Sequence, residues 1–133
     1  DDTEITDIFD VSGGDIANET LPYLDYEVIA KSSKRFWGYS DLTTILNAIY
    51  TKTGNESVLY QVRFLKEESV EQLFQVKYDF IQGTSMQGIL VGGNIRCLLK
   101  LAGTEYWPDM ADKILLLEAR SGKVPQMITF FIL

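Results

Sequence analysis

The segment Gly38-Tyr39-Ser40-Asp41 is the part of this sequence best suited to nucleophilic chemistry. A serine set between a strand and a helix projects its hydroxyl from a sharp turn. The backbone N–H that follows lies at the helix N-terminus, where donors are unpaired and the dipole favours negative charge. A nucleophile and half of an oxyanion hole have those requirements. The Gly-x-Ser order resembles a nucleophile elbow, although Leu42 stands where that pattern has its trailing glycine. Taken locally, Ser40 or Asp41 suits a plain helix N-cap equally well.

Other chemistry-bearing residues are fewer. Gly92-Gly93-Asn94 forms a second strand-to-helix junction but lacks the spacing of a dinucleotide fingerprint or a P-loop. It reads as a structural turn, with Gly93 and Asn94 as candidates for a substrate contact. Arg96 and Lys100 sit one helical turn apart, as solvated helix-face charges or as a grip on a substrate carboxylate. Trp37, Tyr106 and Trp107 suit a core or a pocket wall. Cys97, next to Leu98-Leu99 on an apolar helix, reads as buried and inert. The chain has no histidine, and no cluster has metal-ligand spacing, so neither a zinc site nor any other metal is expected. Any imidazole base must come from elsewhere.

These residues are carried by a chain of 133 residues, enough for one domain. With 46% hydrophobic and 23% charged residues it can build a core, which argues against disorder. The net charge of -7 disfavours nucleic acid and anionic membrane as partners. A single cysteine precludes an internal disulfide and fits a reducing, cytoplasmic setting. No apolar run has the length of a membrane span, and the first residues show no basic-then-apolar leader.

The elements that must position the site alternate. Extended runs are expected at Ile8–Val11, Arg35–Tyr39, Val58–Val62, Gly88–Val91 and Ile114–Leu117. Helices are expected at Asn18–Lys31, Asp41–Lys52, Glu67–Phe80, Ile95–Ala102 and from Pro125 onward. The Asp41–Lys52 helix is the clearest: Leu42, Ile45, Leu46 and Ile49 keep the i, i+3, i+4, i+7 spacing, with Gly54 just past its end. Strands alternating with helices predict an α/β fold, a largely parallel sheet with flanking helices. In such folds ligands sit where strands end and helices begin.

Five segments, in order, resemble those of LD-carboxypeptidases and the related microcin-immunity peptidases. They are the pair Gly13-Gly14 with Leu21-Pro22-Tyr23-Leu24-Asp25-Tyr26; the serine segment from Gly38 to Thr43 with Leu46–Gly54; Gly88–Asn94; Leu101–Asp109; and Lys113–Glu118. The resemblance covers nearly the whole chain, residues 1–133. It implies the incomplete, nucleophile-bearing portion of a two-domain peptidase, with the second domain mostly absent. The family uses a Ser-Glu-His triad to cleave the amide bond before a C-terminal D-amino acid, work that belongs to peptidoglycan recycling. By the resemblance Ser40 is the nucleophile and Glu118 orients the histidine. The N–H of Asp41 and one from Gly13-Gly14 form the oxyanion hole, where a glycine lets the backbone approach the reacting carbonyl.

The family's histidine follows its glutamate at some distance, so the resemblance implies a base outside this chain, and these residues alone are expected to be inactive. The family's opening strand, with its substrate-facing serine turn, is expected before Asp1, and the segment after Gly54 is shorter than in relatives. Many LD-carboxypeptidases carry arginine before the glycine pair, where this chain has Ser12. That leans toward the microcin-immunity side and toward an amidase of aminoacyl-nucleotide toxins as the alternative activity. A catalytically silent binding or assembly module is the other alternative, since an incomplete parallel sheet exposes edges that pair. The partner expected is a small peptide; no cofactor is implied, and a homodimer is left open.

Overall fold

The computed structural model describes residues 2–62, 79–119 and 122–131. Its first half is a β-α-β-α-β run. Strand β1 (Asp7–Phe9) leads through a 3-10 helix (Ala17–Tyr23) and helix α1 (Tyr26–Ala30) to β2 (Arg35–Gly38). A 3-10 turn (Ser40–Leu42) opens directly into α2 (Thr43–Thr53), and β3 (Ser57–Leu59) follows. These strands pair in parallel in the order β1-β2-β3, with Phe36 opposite Ile8 on one side and Ser57 on the other. The second half contains β4 (Ile89–Asn94), α3 (Ile95–Leu98) with a 3-10 extension (Leu99–Leu101), β5 (Lys113–Glu118) and α4 (Val124–Thr129). Strands β4 and β5 pair in parallel, placing Asn94 opposite Glu118.

The α/β class and the parallel direction agree with the sequence. The expected single sheet is, among the described residues, two hydrogen-bonded ladders. The edge of β4 is taken at Gly92 by a side chain instead of a strand: Asn47 of α2 accepts from Gly92 N–H at 2.9 Å and donates to Gly92 C=O at 2.8 Å. The helix expected over Glu67–Phe80 falls for its larger part outside the described residues.

The continuous helix expected over Asn18–Lys31 is instead broken at Leu24, whose backbone is extended. Pro22 lies inside the first piece, and the Asp25 side chain accepts from Val28 N–H at 3.0 Å, capping a new helix start. Similarly, the Ile95–Ala102 helix tightens to 3-10 geometry after one turn. Helix α2 keeps its expected form. Leu42, Leu46 and Ile49 are buried, and Gly54 closes it in the left-handed region, donating to Tyr50 C=O at 2.8 Å.

Helix α2 is the pillar on which both ladders rest. It packs against β2, β3 and β4 as well as α1 and α3. Leu21, Ala48, Leu98 and Leu101 form the central cluster, with Leu24, Tyr26, Ile45, Tyr106, Trp107, Met110 and Leu117 against it. Each fully buried leucine contributes about 1.5–3 kcal/mol relative to exposure. Tyr106 and Trp107 are therefore core residues, whereas Trp37 lies between Phe9 and Tyr60 and donates to Asp7 at 2.7 Å.

Candidate active site

A cavity of about 230 Å³ opens at the carboxyl ends of all five strands. Asp10 to Asp15 follow β1, Tyr39 and Ser40 follow β2, and Gln61 and Val62 lie beyond β3. Asn94 ends β4 and runs into Ile95, Arg96 and Cys97; Ala119 follows β5; Phe130, at the end of α4, completes the lining. The two ladders, separate as hydrogen-bonded units, thus share one mouth.

Ser40 lies in this lining with φ at 59°, in the left-handed region that a side chain enters only at a cost of about 1–2 kcal/mol. Tyr39 before it is fully extended, and the turn after it winds at once into α2. The chain reverses within one residue, so the serine side chain stands at the apex. The N–H of Asp41 belongs to the first turn of the helical run, where donors have no intrahelical acceptor. The local N-cap alternative is not what the geometry contains: Tyr39 takes the cap position, and no side chain caps that turn.

The glycine pair faces this turn. A Cβ on Gly13 would lie 3.5 Å from Ser40 Cβ. The Gly13 N–H donates to Asp10 Oδ1 at 2.8 Å, beside Ser12 N–H at 3.0 Å. Among the described residues, Gly14 is therefore the member of the pair whose N–H has no acceptor.

Glu118 ends β5, half-buried. Its Oε2 is 3.4 Å from the Tyr39 hydroxyl, a long contact, and its Oε1 is buried without a partner among the described residues. Tyr39 thus links the residue before the serine to the glutamate. Asn94 lines the cavity, but its Oδ1 caps α3 by accepting from Cys97 N–H at 3.3 Å. Gly93 is buried against Thr43 and is not part of the lining. Cys97 does line it, yet burial pushes its thiol up, which disfavours the reactive thiolate. Arg96 is the single Lys or Arg side chain in the lining among the described residues. Its Nη2 lies 3.6 Å from Asp15 Oδ1, while Lys100 donates to the Asp15 backbone oxygen. Those two cations therefore hold the loop after β1, a tertiary contact that helix spacing could not reveal.

Two residues escaped the sequence reading. Thr43 accepts from Asn94 N–H at 3.0 Å, and Asn47 holds Gly92 as described, so one helix face docks the β4–α3 turn. The available signal was a polar i, i+4 pair within an otherwise apolar stripe.

Comparison with known proteins agrees with this fold. The model of the LD-carboxypeptidase N-terminal domain matches residues 1–60, and that of the LD-carboxypeptidase C-terminal domain matches residues 87–132. The Bacillus subtilis protein YocD, named a carboxypeptidase, is 32% identical over 88% of this chain and 48% of its own length. The microcin C7 self-immunity protein MccF of Escherichia coli is 49% identical over a shorter stretch, 38% of this chain and 15% of its own. The solved MccF-like protein of Bacillus anthracis superposes with a TM-score of 0.71 at 27% identity, covering 91% of this chain and 50% of that one. The muramoyltetrapeptide carboxypeptidase of Oxalobacter formigenes does so with 0.65 at 26% identity, covering 89% and 46%. The chain belongs to the LD-carboxypeptidase family, and it spans about half the length of the curated relatives it matches.

Proposed function

We propose that this chain is the nucleophile-bearing part of a serine carboxypeptidase that cleaves the amide bond before the C-terminal D-amino acid of a peptidoglycan-type peptide. The observation that carries this reading is Ser40, a non-glycine residue in left-handed backbone at the mouth shared by five strand ends. Strain of this kind persists where a side chain is needed at the apex of a turn.

In this reading the Ser40 oxygen attacks the scissile carbonyl and its proton passes to a histidine supplied from outside these 133 residues. The negative charge on the carbonyl oxygen is met by the N–H groups of Asp41 and Gly14. The tetrahedral adduct then collapses, the C–N bond breaks, and the histidine returns the proton to the departing amine. Water hydrolyses the acyl-serine by the same steps reversed. Glu118 orients the histidine, and its Oε1, buried without a partner among the described residues, supports this role: a ring N–H would satisfy it. Asn94 lines the same space as a substrate contact. With one cysteine in the chain, the setting that fits best is the reducing cytoplasm. Among the described residues no helix is long and apolar enough to cross a membrane.

The test is the labelling rate of the full gene product by a fluorophosphonate, with the modified residue mapped by mass spectrometry. The label is expected on Ser40, absent in Ser40→Ala and slowed by about 10³-fold or more in Glu118→Gln, the scale seen when a triad acid is lost. No label on a folded protein would refute the reading and favour a catalytically silent binding module.

A second reading rests on the 49% identity to the microcin immunity protein over one stretch. In it the same serine cleaves the acyl bond of an aminoacyl-nucleotide toxin. Turnover of an acyl-sulfamoyl adenylate in place of a muramyl tetrapeptide would select it.

A further inference from the structure

We infer that the Asp41 side chain is a positioning residue that locks the glycine loop onto the serine turn and thereby sets the distance between the two oxyanion donors. This rests on the proposed role of Ser40 and goes beyond it, because that role uses only the backbone of Asp41.

An aspartate at the start of a helix ordinarily stays in solvent or caps its own helix. Asp41 does neither. It is 2% exposed, and its Oδ2 reaches back 24 residues to accept from Ala17 N–H at 3.1 Å. Ala17 is the first residue of the 3-10 helix that ends at Tyr23 and is anchored in the core by Leu21. The carboxylate lies against both glycines on the way. A Cβ on Gly14 would stand 3.2 Å from Oδ2, and one on Gly13 3.5 Å from Oδ1. The room that lets a carboxylate enter between the two loops is the room left by two missing side chains.

Burying this group is unfavourable. A carboxylate removed from water needs several donors, and Oδ1 is buried with none among the described residues. A leucine suited to plain packing would avoid that cost. Retaining an under-satisfied carboxylate next to the nucleophile is what a positional task explains. Asp41 contributes its own N–H to one side of the oxyanion hole. Through its side chain it grips the loop that carries Gly14, the donor on the other side. A displacement of about 1 Å between such donors costs about 10²-fold in rate.

The experiment compares Asp41→Ala, Asp41→Asn and wild type in the full gene product. It measures kcat and KM on the peptide substrate and the rate of fluorophosphonate labelling per folded molecule. For Asp41→Ala, kcat and labelling rate are expected to fall about 10²-fold together, with KM changed less than about threefold. Asn retains an acceptor for Ala17 N–H and should recover at least about tenfold of that loss. Wild-type kcat and labelling in Asp41→Ala, or losses that only track the folded fraction, would overturn the inference. Should Asp41→Ala not fold, Gly14→Ala serves instead. Gly14 is exposed and outside the left-handed region, and its new Cβ presses directly on the carboxylate. It is expected to lose about tenfold in kcat at constant KM, and an unchanged kcat overturns the inference. Absence of labelling at Ser40 in the wild type would remove the catalytic reading itself. Labelling of the wild type with equally fast variants would remove only this one.

Discussion

Two turns in this molecule do the same topological job with opposite chemistry. At Tyr39-Ser40-Asp41 a strand of the first ladder runs into α2; at Gly92-Gly93-Asn94 a strand of the second runs into α3. Both turns use positive φ, 59° at Ser40 and 112° and 131° at the glycines. In the second turn every demand is steric. A Cβ at Gly92 would come within 2.1 Å of the Leu116 carbonyl oxygen, and one at Gly93 within 2.7 Å of Thr43 Oγ1. Glycine removes both conflicts, and Asn94 then caps the helix with its side chain. In the first turn a side chain sits where glycine would be more comfortable, and the turn lacks a side-chain cap. The contrast teaches where to look for function: one turn is relaxed by its sequence, the other keeps a side chain in a strained backbone, which the proposed nucleophile role of Ser40 would explain. They are also coupled, since Thr43 and Asn47 of the helix that follows the serine hold the backbone of the glycine turn.

The sharpest way to break the contrast is Gly92→Ala. The new methyl meets a ladder carbonyl that has no room to move, so β4 and β5 must separate locally. A loss of about 3 kcal/mol or more is expected in urea unfolding, as overpacking adds to a strained φ. A loss under about 1 kcal/mol would mean that the turn tolerates side chains and differs little from the serine turn.

Asn47→Ala tests the coupling. It removes three hydrogen bonds, including the donor and the acceptor for Gly92, and leaves half-buried backbone groups unpaired. The expected loss is about 2–3 kcal/mol. Stability within about 0.5 kcal/mol of wild type would show the two turns to be independent.

The smallest effect is the most diagnostic. Ser40→Gly should abolish labelling while raising stability by up to about 1 kcal/mol, because glycine occupies φ of 59° without the Cβ conflict. A clear fall in melting temperature would show that the serine turn is not strained.

Legibility in the sequence varied with the range of the interaction. The α2 helix was readable because its period, its terminal glycine and its apolar stripe all lie within a dozen consecutive residues. The serine turn was readable as a strand–helix junction for the same reason. The break at Leu24 was not, because only the Asp25 cap and Pro22, late in the first helical piece, reveal it. Arg96 and Lys100 read as solvated charges or as a carboxylate grip; the loop residue they hold, Asp15, is some eighty positions away.

By itself, then, the sequence determined the α/β class, the parallel direction, the main helix and the family to which the chain belongs. Those follow from local periodicity and from short motifs that stand in the family's order along one chain. Tertiary structure alone decided three things. The five strand ends share one mouth, Glu118 lies 3.4 Å from the hydroxyl of Tyr39 in its lining, and the Asp41 carboxylate is folded between the glycine pair and the serine turn. Each depends on groups distant in sequence being brought together by the packing of α2 against both ladders, and no run of neighbouring residues encodes that packing.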